Sequence, residues 1–218
     1  MTNPHLKAAF LDIFESVGYT KKRLKERLNK FKELENKETK EKNKMNIIEA
    51  IKDALCYKAM CFAMDKHKNQ RRKYTNEPYW KHLAEVAALV STVHSDPSVI
   101  AAAWLHDTLE DTDTTEEELE NEFGFVVKDY VVALSDLETG NRAERKRLSR
   151  ERLAKTCEEV QNIKICDMIS NTSSIAIHDP RFAKIYLKEK ALLLQALDKT
   201  DNRLLKIAYN MIDNKKEG

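Results

Sequence analysis

Glycine and proline are scarce in this chain, with four of each among 218 residues. At average usage the two together would make up about 12% of a chain, or ~26 residues here. Such scarcity excludes a collagen-like or low-complexity chain and disfavours a turn-rich β-sandwich. We therefore predict an all-α fold in which long helices are joined by few turns.

Long apolar runs are also missing. No stretch of 18 apolar residues occurs, and the short apolar run 8–11 near the N-terminus is interrupted by Asp12. A membrane-spanning helix needs about 18 or more such residues, and a signal peptide needs an uninterrupted apolar segment. We expect neither, and so predict a soluble, cytoplasmic protein that has no membrane as a partner.

The cysteines lack any paired pattern. There are four, none of them in a CxxC pair or an evenly spaced framework: Cys56, Cys61, Cys157 and Cys166. Disulfide-stabilised domains show such frameworks. We therefore expect these thiols to be reduced and mostly buried.

A strong net charge is missing as well, since the formal total is only +2. Residues 21–44 nevertheless hold eleven Lys or Arg against five Glu, a local charge of +6, which leaves −4 for the remainder. The mixed signs and the lack of interleaved aromatics favour a solvated helix and linker over a polyanion-binding arm. We therefore expect no nucleic-acid partner, and a basic nucleic-acid-binding arm is the alternative. We divide the chain into an N-terminal helical extension and basic linker, residues 1–44, and one domain, residues 45–218.

Apolar residues recur at helical spacing through most of the chain. Thr115 and Glu118 additionally match a capping box that starts a short helix ending at Gly124. The other helices that the pattern predicts are 5–17, 45–62, 80–93, 99–111, 127–137, 160–177 and 182–211.

The segment 106–111 concentrates the groups that carry chemistry. On a helix, Glu110 shares a face with His106 and Asp107, and apolar residues precede them. An ionised aspartate beside such a surface is costly unless a cation or hydrogen bonds compensate it. Imidazole with carboxylates suits Mn²⁺, Fe²⁺ or Zn²⁺. From spacing alone, a solvated helix end is an equal alternative.

Two residues elsewhere can complete such a site. His82 lies on the preceding predicted helix, where a hydrogen-bonded core histidine is the common alternative. Asp167 lies on a polar stripe of a later, otherwise apolar helix, which suggests that the stripe lines a cavity. The stripe consists of Lys164, Asp167, Asn171 and Ser174.

The order and spacing of several segments resemble one family. The matching segments are 67–73, 77–82, 102–112, 115–124 and 163–171. Together they resemble the HD superfamily of metal-dependent phosphohydrolases. Within it they are most similar to the hydrolase domain of RelA/SpoT-type alarmone enzymes, and especially to small stand-alone forms that lack a synthetase domain. The resemblance implies an HD-domain helical bundle.

The resemblance also implies roles for individual residues. His82, His106, Asp107 and Asp167 would bind one Mn²⁺ ion. Glu110 and Asp111 would form the catalytic acid pair. The implied substrate contacts are Arg72, Lys73, Arg142 in a loop, Asn171 and, more distantly, Tyr186.

The implied activity is removal of the 3′-pyrophosphate from guanosine 3′,5′-bis(diphosphate) by a metal-activated water. This sequence departs from the family pattern at Leu83, where proline is usual, and at Met168 and Ser170, where a basic residue and a His or Tyr are usual. The departures at Met168 and Ser170 put the exact substrate in doubt, so a 2′- or 3′-phosphatase acting on another nucleotide such as NADPH is an alternative. A separate alternative is a catalytically silent nucleotide sensor, against which the full set of ligands and acids argues.

Overall fold

The structure is a computed structural model that describes residues 54–213. The predicted extension 1–44 and the predicted start of a helix at residue 45 lie outside the described residues. The residues from Leu55 onward belong to one compact unit. No helix of the described part is long and apolar enough to cross a membrane.

The described residues are helical and contain no strand, only an isolated bridge between Arg71 and Pro78. The all-α prediction is therefore confirmed. The helices are α1 (54–66, as far as it is described), α2 (Trp80–Ser91), α3 (Pro97–Leu105), α4 (Thr108–Asp111), α5 (Glu116–Phe123), α6 (Phe125–Leu134), α7 (Arg142–Leu153), α8 (Glu158–His178), α9 (Pro180–Ala196) and α10 (Asn202–Asp213).

Helix α8 lies at the centre of the bundle and packs against α2, α9 and α10. Its Ile163, Ile165 and Met168 are fully buried, as are Leu83 and Val86 of α2. Helix α2 packs in turn on α3. This apolar packing sets the polar side of α8 opposite α2 and the end of α3.

Side-chain caps start α3 and α5, and the cap of α5 is at the predicted Thr115. The Asp96 side chain accepts a hydrogen bond from Ser98 N at 2.8 Å before α3. The Thr115 hydroxyl accepts one from Glu118 N at 3.1 Å before α5. Helix α5 ends at Gly124, whose φ of 82° is a conformation that favours glycine.

The predicted helix 99–111 is wrong as a single element. Helix α3 ends at Leu105, residues 106 and 107 form a turn, and α4 follows. The Thr108 hydroxyl donates to the Leu105 carbonyl at 2.7 Å, and the His106 ring donates to the Ala103 carbonyl at 2.8 Å. These side chains donate to carbonyl groups at the end of α3 in place of backbone N–H groups. His106 and Asp107 therefore lie at a junction between two helices rather than inside one.

The predicted helix 182–211 is also two elements, because the chain turns between α9 and α10. Two side chains of α8 hold this turn. The Gln161 side-chain oxygen accepts from Lys199 N at 2.9 Å, and that of Asn162 accepts from Asp201 N at 2.8 Å.

None of the four cysteines forms a disulfide among residues 54–213, but the prediction that most of them are buried is wrong. Only Cys166 is buried, whereas Cys157 is exposed and the other two are partly exposed. Cys157 immediately precedes α8, where it projects outside the apolar core.

Candidate metal centre

Two imidazoles and two carboxylates converge from three parts of the fold. The His82 Nε2 atom of α2 lies 3.5 Å from Asp107 Oδ2 and 3.4 Å from Asp167 Oδ1 of α8. The His106 Nε2 atom lies 3.0 Å and 3.9 Å from the same two oxygens. The structure thus brings together the four residues that the sequence predicts as ligands.

These donor atoms fit a divalent metal ion. With metal–ligand bonds of about 2.0–2.2 Å, neighbouring ligands of a tetrahedral or octahedral ion lie about 3.0–3.5 Å apart. Both histidine Nε2 atoms are buried and make no hydrogen bond within the described residues. Buried polar atoms are rarely left this way, and a bound cation would satisfy both nitrogens and both carboxylates.

The other ring nitrogen of each histidine has a hydrogen-bond partner, which leaves Nε2 as the metal-facing atom. His106 Nδ1 donates to the Ala103 carbonyl at 2.8 Å. His82 Nδ1 lies 2.8 Å from the Ser170 hydroxyl, which itself donates to Glu85 Oε2 at 2.6 Å. Ser170 is therefore the acceptor that orients His82.

The two aspartates are also held by neighbours. The Tyr79 hydroxyl donates to Asp107 Oδ2 at 2.6 Å. Asn171 donates to Asp167 Oδ1 at 2.6 Å, and the Lys164 ammonium lies 3.3 Å from Asp167 Oδ2. Each carboxylate is thereby fixed before any ion binds.

Electrostatics favour charged carboxylates in this centre. Burial opposes ionisation of Asp107 and Asp167, but nearby positive groups outweigh it and hold both pKa values well below their usual range. These groups are chiefly His106 for Asp107, and Lys164 for Asp167. Burial likewise opposes protonation of His82, but the nearby carboxylates of Asp107 and Asp167 raise its pKa to about 9. The centre therefore attracts positive charge, as a proton or as a metal ion.

The predicted acid pair lies at the edge of this centre, and both side chains are exposed. Glu110 Oε1 accepts from the backbone N–H of Asp136 at 2.7 Å, and the surrounding protein raises the pKa of Glu110 by removing water. Asp111 Oδ2 accepts from Gln70 at 2.8 Å, and Gln70 is held by His67 Nδ1 at 2.5 Å. Both acids thus have fixed orientations.

Comparison with known proteins agrees with this geometry. A sequence model described as the HD domain matches residues 59–210, more than half of the chain. The chain belongs to the HD domain family. The membership predicted from the sequence motifs is therefore confirmed.

Two relatives show how far the similarity extends. The guanosine-3′,5′-bis(diphosphate) 3′-pyrophosphohydrolase MESH1 of Xenopus tropicalis is 40% identical over 121 residues, which are 54% of this chain and 68% of the relative. The GTP pyrophosphokinase rsh of Brucella melitensis is 32% identical over 133 residues, which are 58% of this chain but only 18% of that protein.

Two solved structures have similar folds. A metazoan orthologue of SpoT that hydrolyses ppGpp superimposes with a TM-score of 0.70 and 28% identity, covering 74% of this chain and 96% of that one. The protein lmo0812 of Listeria monocytogenes superimposes with a TM-score of 0.58 at 20% identity, over 67% of this chain and all of that one, which shows the shared fold alone.

Two of the predicted substrate contacts of this HD domain lie beside the metal centre. The Arg72 guanidinium donates to Asn171 Oδ1 and to the Ser170 hydroxyl, both at 3.3 Å, and lies 3.6 Å from Glu85 Oε2. Asn171 in turn donates to Asp167. Arg72 and Asn171 are therefore connected to the residues that hold His82 and Asp167.

The other three predicted substrate contacts are placed differently. Arg142 is not in a loop as predicted but is the first residue of α7, because Asn141 caps that helix, and it pairs with Glu189 at 2.7 Å. Lys73 is exposed with its ammonium over the Tyr74 ring, and Tyr186 is buried in α9 near Thr172. No hydrogen bond or ion pair of the described residues links these three to the four converging side chains.

Sequence reasoning missed the orienting roles of five residues, although it named Lys164 as part of the polar stripe. These are Tyr79, Gln70, Ser170, Glu85 and Lys164. Spacing held part of the signal, since Tyr79 lies three residues before His82, and Lys164 three residues before Asp167. Ser170 was noticed only as a departure from the family pattern, and its contact with His82 depends on the packing of α8 against α2.

Proposed function

We propose that this HD domain is a metal-dependent hydrolase that removes the 3′-pyrophosphate from guanosine 3′,5′-bis(diphosphate). The observation that carries this proposal is the four-residue centre with both acids at its edge. It is supported by 40% identity to a MESH1 protein that is named for this activity. The same centre supports the assignment of His82, His106, Asp107 and Asp167 as the metal ligands.

The donor set suits Mn²⁺, because two imidazoles and two carboxylates combine nitrogen and oxygen ligands of intermediate and hard character. A divalent ion held here would polarise phosphoryl oxygens and lower the pKa of a water molecule. The histidines would hold the ion through Nε2, because Ser170 and the Ala103 carbonyl keep the opposite nitrogen protonated. We propose one ion, since the four donors form one cluster.

The two acidic side chains, Glu110 and Asp111, then act on the attacking water. Glu110 has a raised pKa, which suits a group that takes a proton from the attacking water and later releases it. Asp111, fixed by Gln70, orients that water. A new P–O bond forms to the phosphorus next to ribose, the bond to the ribose 3′-oxygen breaks, and that oxygen receives a proton. The products are guanosine 5′-diphosphate and pyrophosphate.

The alternatives rest on the departures at Met168 and Ser170. Met168 is fully buried in the core, and Ser170 is buried against His82. Because both side chains are buried, neither is open to contact a nucleotide. Neither departure therefore favours an NADPH phosphatase, and the intact set of ligands and acids disfavours a silent sensor.

A pair of variants tests the assignment of roles. Asp107→Ala removes a ligand, so the purified protein should lose bound Mn²⁺ and activity together. Glu110→Gln keeps all four ligands, so Mn²⁺ content should stay while turnover of guanosine 3′,5′-bis(diphosphate) falls by about 10²–10⁴-fold. Metal content is measured by elemental analysis and turnover by nucleotide chromatography.

Glu120→Gln is the matched control, because Glu120 is exposed on α5 and lies 3.4 Å from Lys128 alone among ion-pair partners in the described residues. It should change neither quantity. Wild-type turnover in Glu110→Gln would show that the catalytic assignment is wrong, and full metal content in Asp107→Ala would remove the ligand assignment.

A further inference from the structure

A second group of cationic side chains lies next to the metal centre. They line a narrow cleft, and the space between its walls, open solvent included, is about 310 Å³. We call this the lysine cleft and define it by Lys146, Lys164, Lys190 and Arg150. Its remaining walls are Asp136, Ser149, Glu189 and Leu193.

The two acids of the lysine cleft already have cationic partners. Asp136 lies 2.7 Å from Lys146 and 3.2 Å from Arg152, and it also accepts from the Ser149 hydroxyl at 2.6 Å. Glu189 binds Arg142 through two hydrogen bonds of 2.8 and 2.7 Å. The acids therefore do not neutralise the rest of the cleft.

Lys190 and Arg150 lack such partners, since no carboxylate of residues 54–213 lies within ion-pair distance of either. The Lys190 ammonium lies over the Tyr186 ring at 5.1 Å. Loss of surrounding water, together with the nearby Lys164 and Lys146 charges, lowers the pKa of Lys190 to about 8. An anion in the cleft would stabilise the charged form of this lysine.

The lysine cleft adjoins the metal centre through two shared contacts. The Lys164 ammonium lies 3.3 Å from Asp167 Oδ2. Asp136 lines the cleft with its side chain, while its backbone N–H donates to Glu110 at 2.7 Å. The cleft and the centre are therefore adjacent, joined through Lys164 and through Asp136.

We propose that the lysine cleft binds the terminal phosphate of a 3′-pyrophosphate group and thereby selects pyrophosphate esters over phosphate monoesters. The cleft is narrow, which suits a phosphate group and not a nucleoside ring, and converging ammonium groups are the usual partners of phosphate. This inference rests on the proposed function. In the reaction, the terminal phosphate stays bonded to the attacked phosphorus, so both leave as pyrophosphate when the ribose oxygen departs.

Inorganic pyrophosphate and orthophosphate are the probes for this site. Their binding to the full chain is measured by calorimetry at a fixed excess of Mn²⁺, which requires no turnover. We expect wild-type protein to bind pyrophosphate at least about tenfold more tightly than orthophosphate. Lys190→Gln should weaken pyrophosphate binding by about tenfold and change orthophosphate binding by less than about twofold, since one charge-assisted contact is lost.

Two further variants make the result specific. Lys190→Arg keeps the charge and should retain most of the pyrophosphate affinity. Lys184→Gln removes an exposed charge from the same helix and should change nothing. Unchanged pyrophosphate affinity in Lys190→Gln, or an equal loss for both anions, would overturn the inference.

The outcome is separable from that of the proposed function. If the protein hydrolyses guanosine 3′,5′-bis(diphosphate) but Lys190→Gln does not change pyrophosphate binding, the proposed function is supported and the proposed role of the lysine cleft is wrong. If the protein shows no turnover but binds pyrophosphate selectively, and Lys190→Gln weakens that binding, the proposed role of the lysine cleft is supported and the proposed function is wrong.

Discussion

His82 and His106 face the same carboxylates, but different kinds of partner hold them. A backbone carbonyl of α3 fixes His106, whereas the Ser170 side chain fixes His82 and is itself tied to the exposed Glu85. A backbone acceptor survives any substitution, and a side-chain acceptor does not. The position of His82 is therefore more sensitive to mutation than that of His106.

Ser170→Ala tests this difference. It removes the acceptor for His82 Nδ1 without touching a ligand, so Mn²⁺ affinity should fall by about 10–100-fold, as for other groups that orient a metal-binding histidine. Ser173→Ala, on the same helix, removes only a hydroxyl that donates to the Ser170 carbonyl and should leave affinity unchanged. Equal affinities for the two variants would show that Ser170 does not position His82.

Metal binding should also depend on pH. The pKa of His82 is raised from 6.5 to about 9, so the metal-free protein carries a proton there at neutral pH. A bound ion must displace that proton, because a metal ligand is a neutral imidazole. Apparent Mn²⁺ affinity should therefore rise by nearly tenfold, roughly the limit for the release of one proton, between pH 7 and 8, measured by titration. A constant affinity over this range would contradict a protonated His82.

For individual residues, the sequence predicts which side chains can bind a metal ion but not which neighbours orient them. The four predicted ligand residues follow from motifs, and their convergence is seen in the structure. Tyr79, Glu85 and Ser170 become visible only once helix packing is known. Arg142 was expected in a loop, although Asn141 is a common N-cap residue that could have indicated the start of α7.

Among the helices, the junction between α3 and α4 matters most for the centre. Hydrophobic periodicity predicts one helix over 99–111, because apolar spacing does not register a side chain that replaces a backbone donor. The bonds from Thr108 to Leu105 and from His106 to Ala103 are such replacements. The turn they create places His106 and Asp107 where α2 and α8 also contribute ligands.

Thr108→Val tests the contribution of this junction. Thr108 is fully buried, and its hydroxyl donates to the Leu105 carbonyl at 2.7 Å, so removing the hydroxyl should lower the free energy of unfolding by about 1 kcal/mol. Urea unfolding with chelator present measures this without metal stabilisation. Thr92→Val removes the equivalent bond to Leu89 at an exposed helix end and should change stability by less than ~0.5 kcal/mol. Equal effects would show that the buried bond is not special.

Over the whole molecule, the scarcity of glycine and the near-neutral net charge limit which groups can bind a phosphate. The described residues contain two glycines, Gly124 and Gly140, both at helix boundaries, so no glycine-rich phosphate loop exists there. Under the proposed function, phosphate would instead be held by a metal ion and by cationic side chains. The candidate metal centre and the lysine cleft would supply these two, in a chain whose net charge is only +2.

In the proposed reaction the metal centre and the lysine cleft act together, and the released product distinguishes this reaction from the alternatives. The most direct measurement incubates the full chain with Mn²⁺ and either guanosine 3′,5′-bis(diphosphate) or NADPH, and quantifies pyrophosphate and orthophosphate separately. We expect pyrophosphate and guanosine 5′-diphosphate in equal amounts from the first substrate, abolished by chelator. Orthophosphate from NADPH with no pyrophosphate from guanosine 3′,5′-bis(diphosphate) would contradict the account.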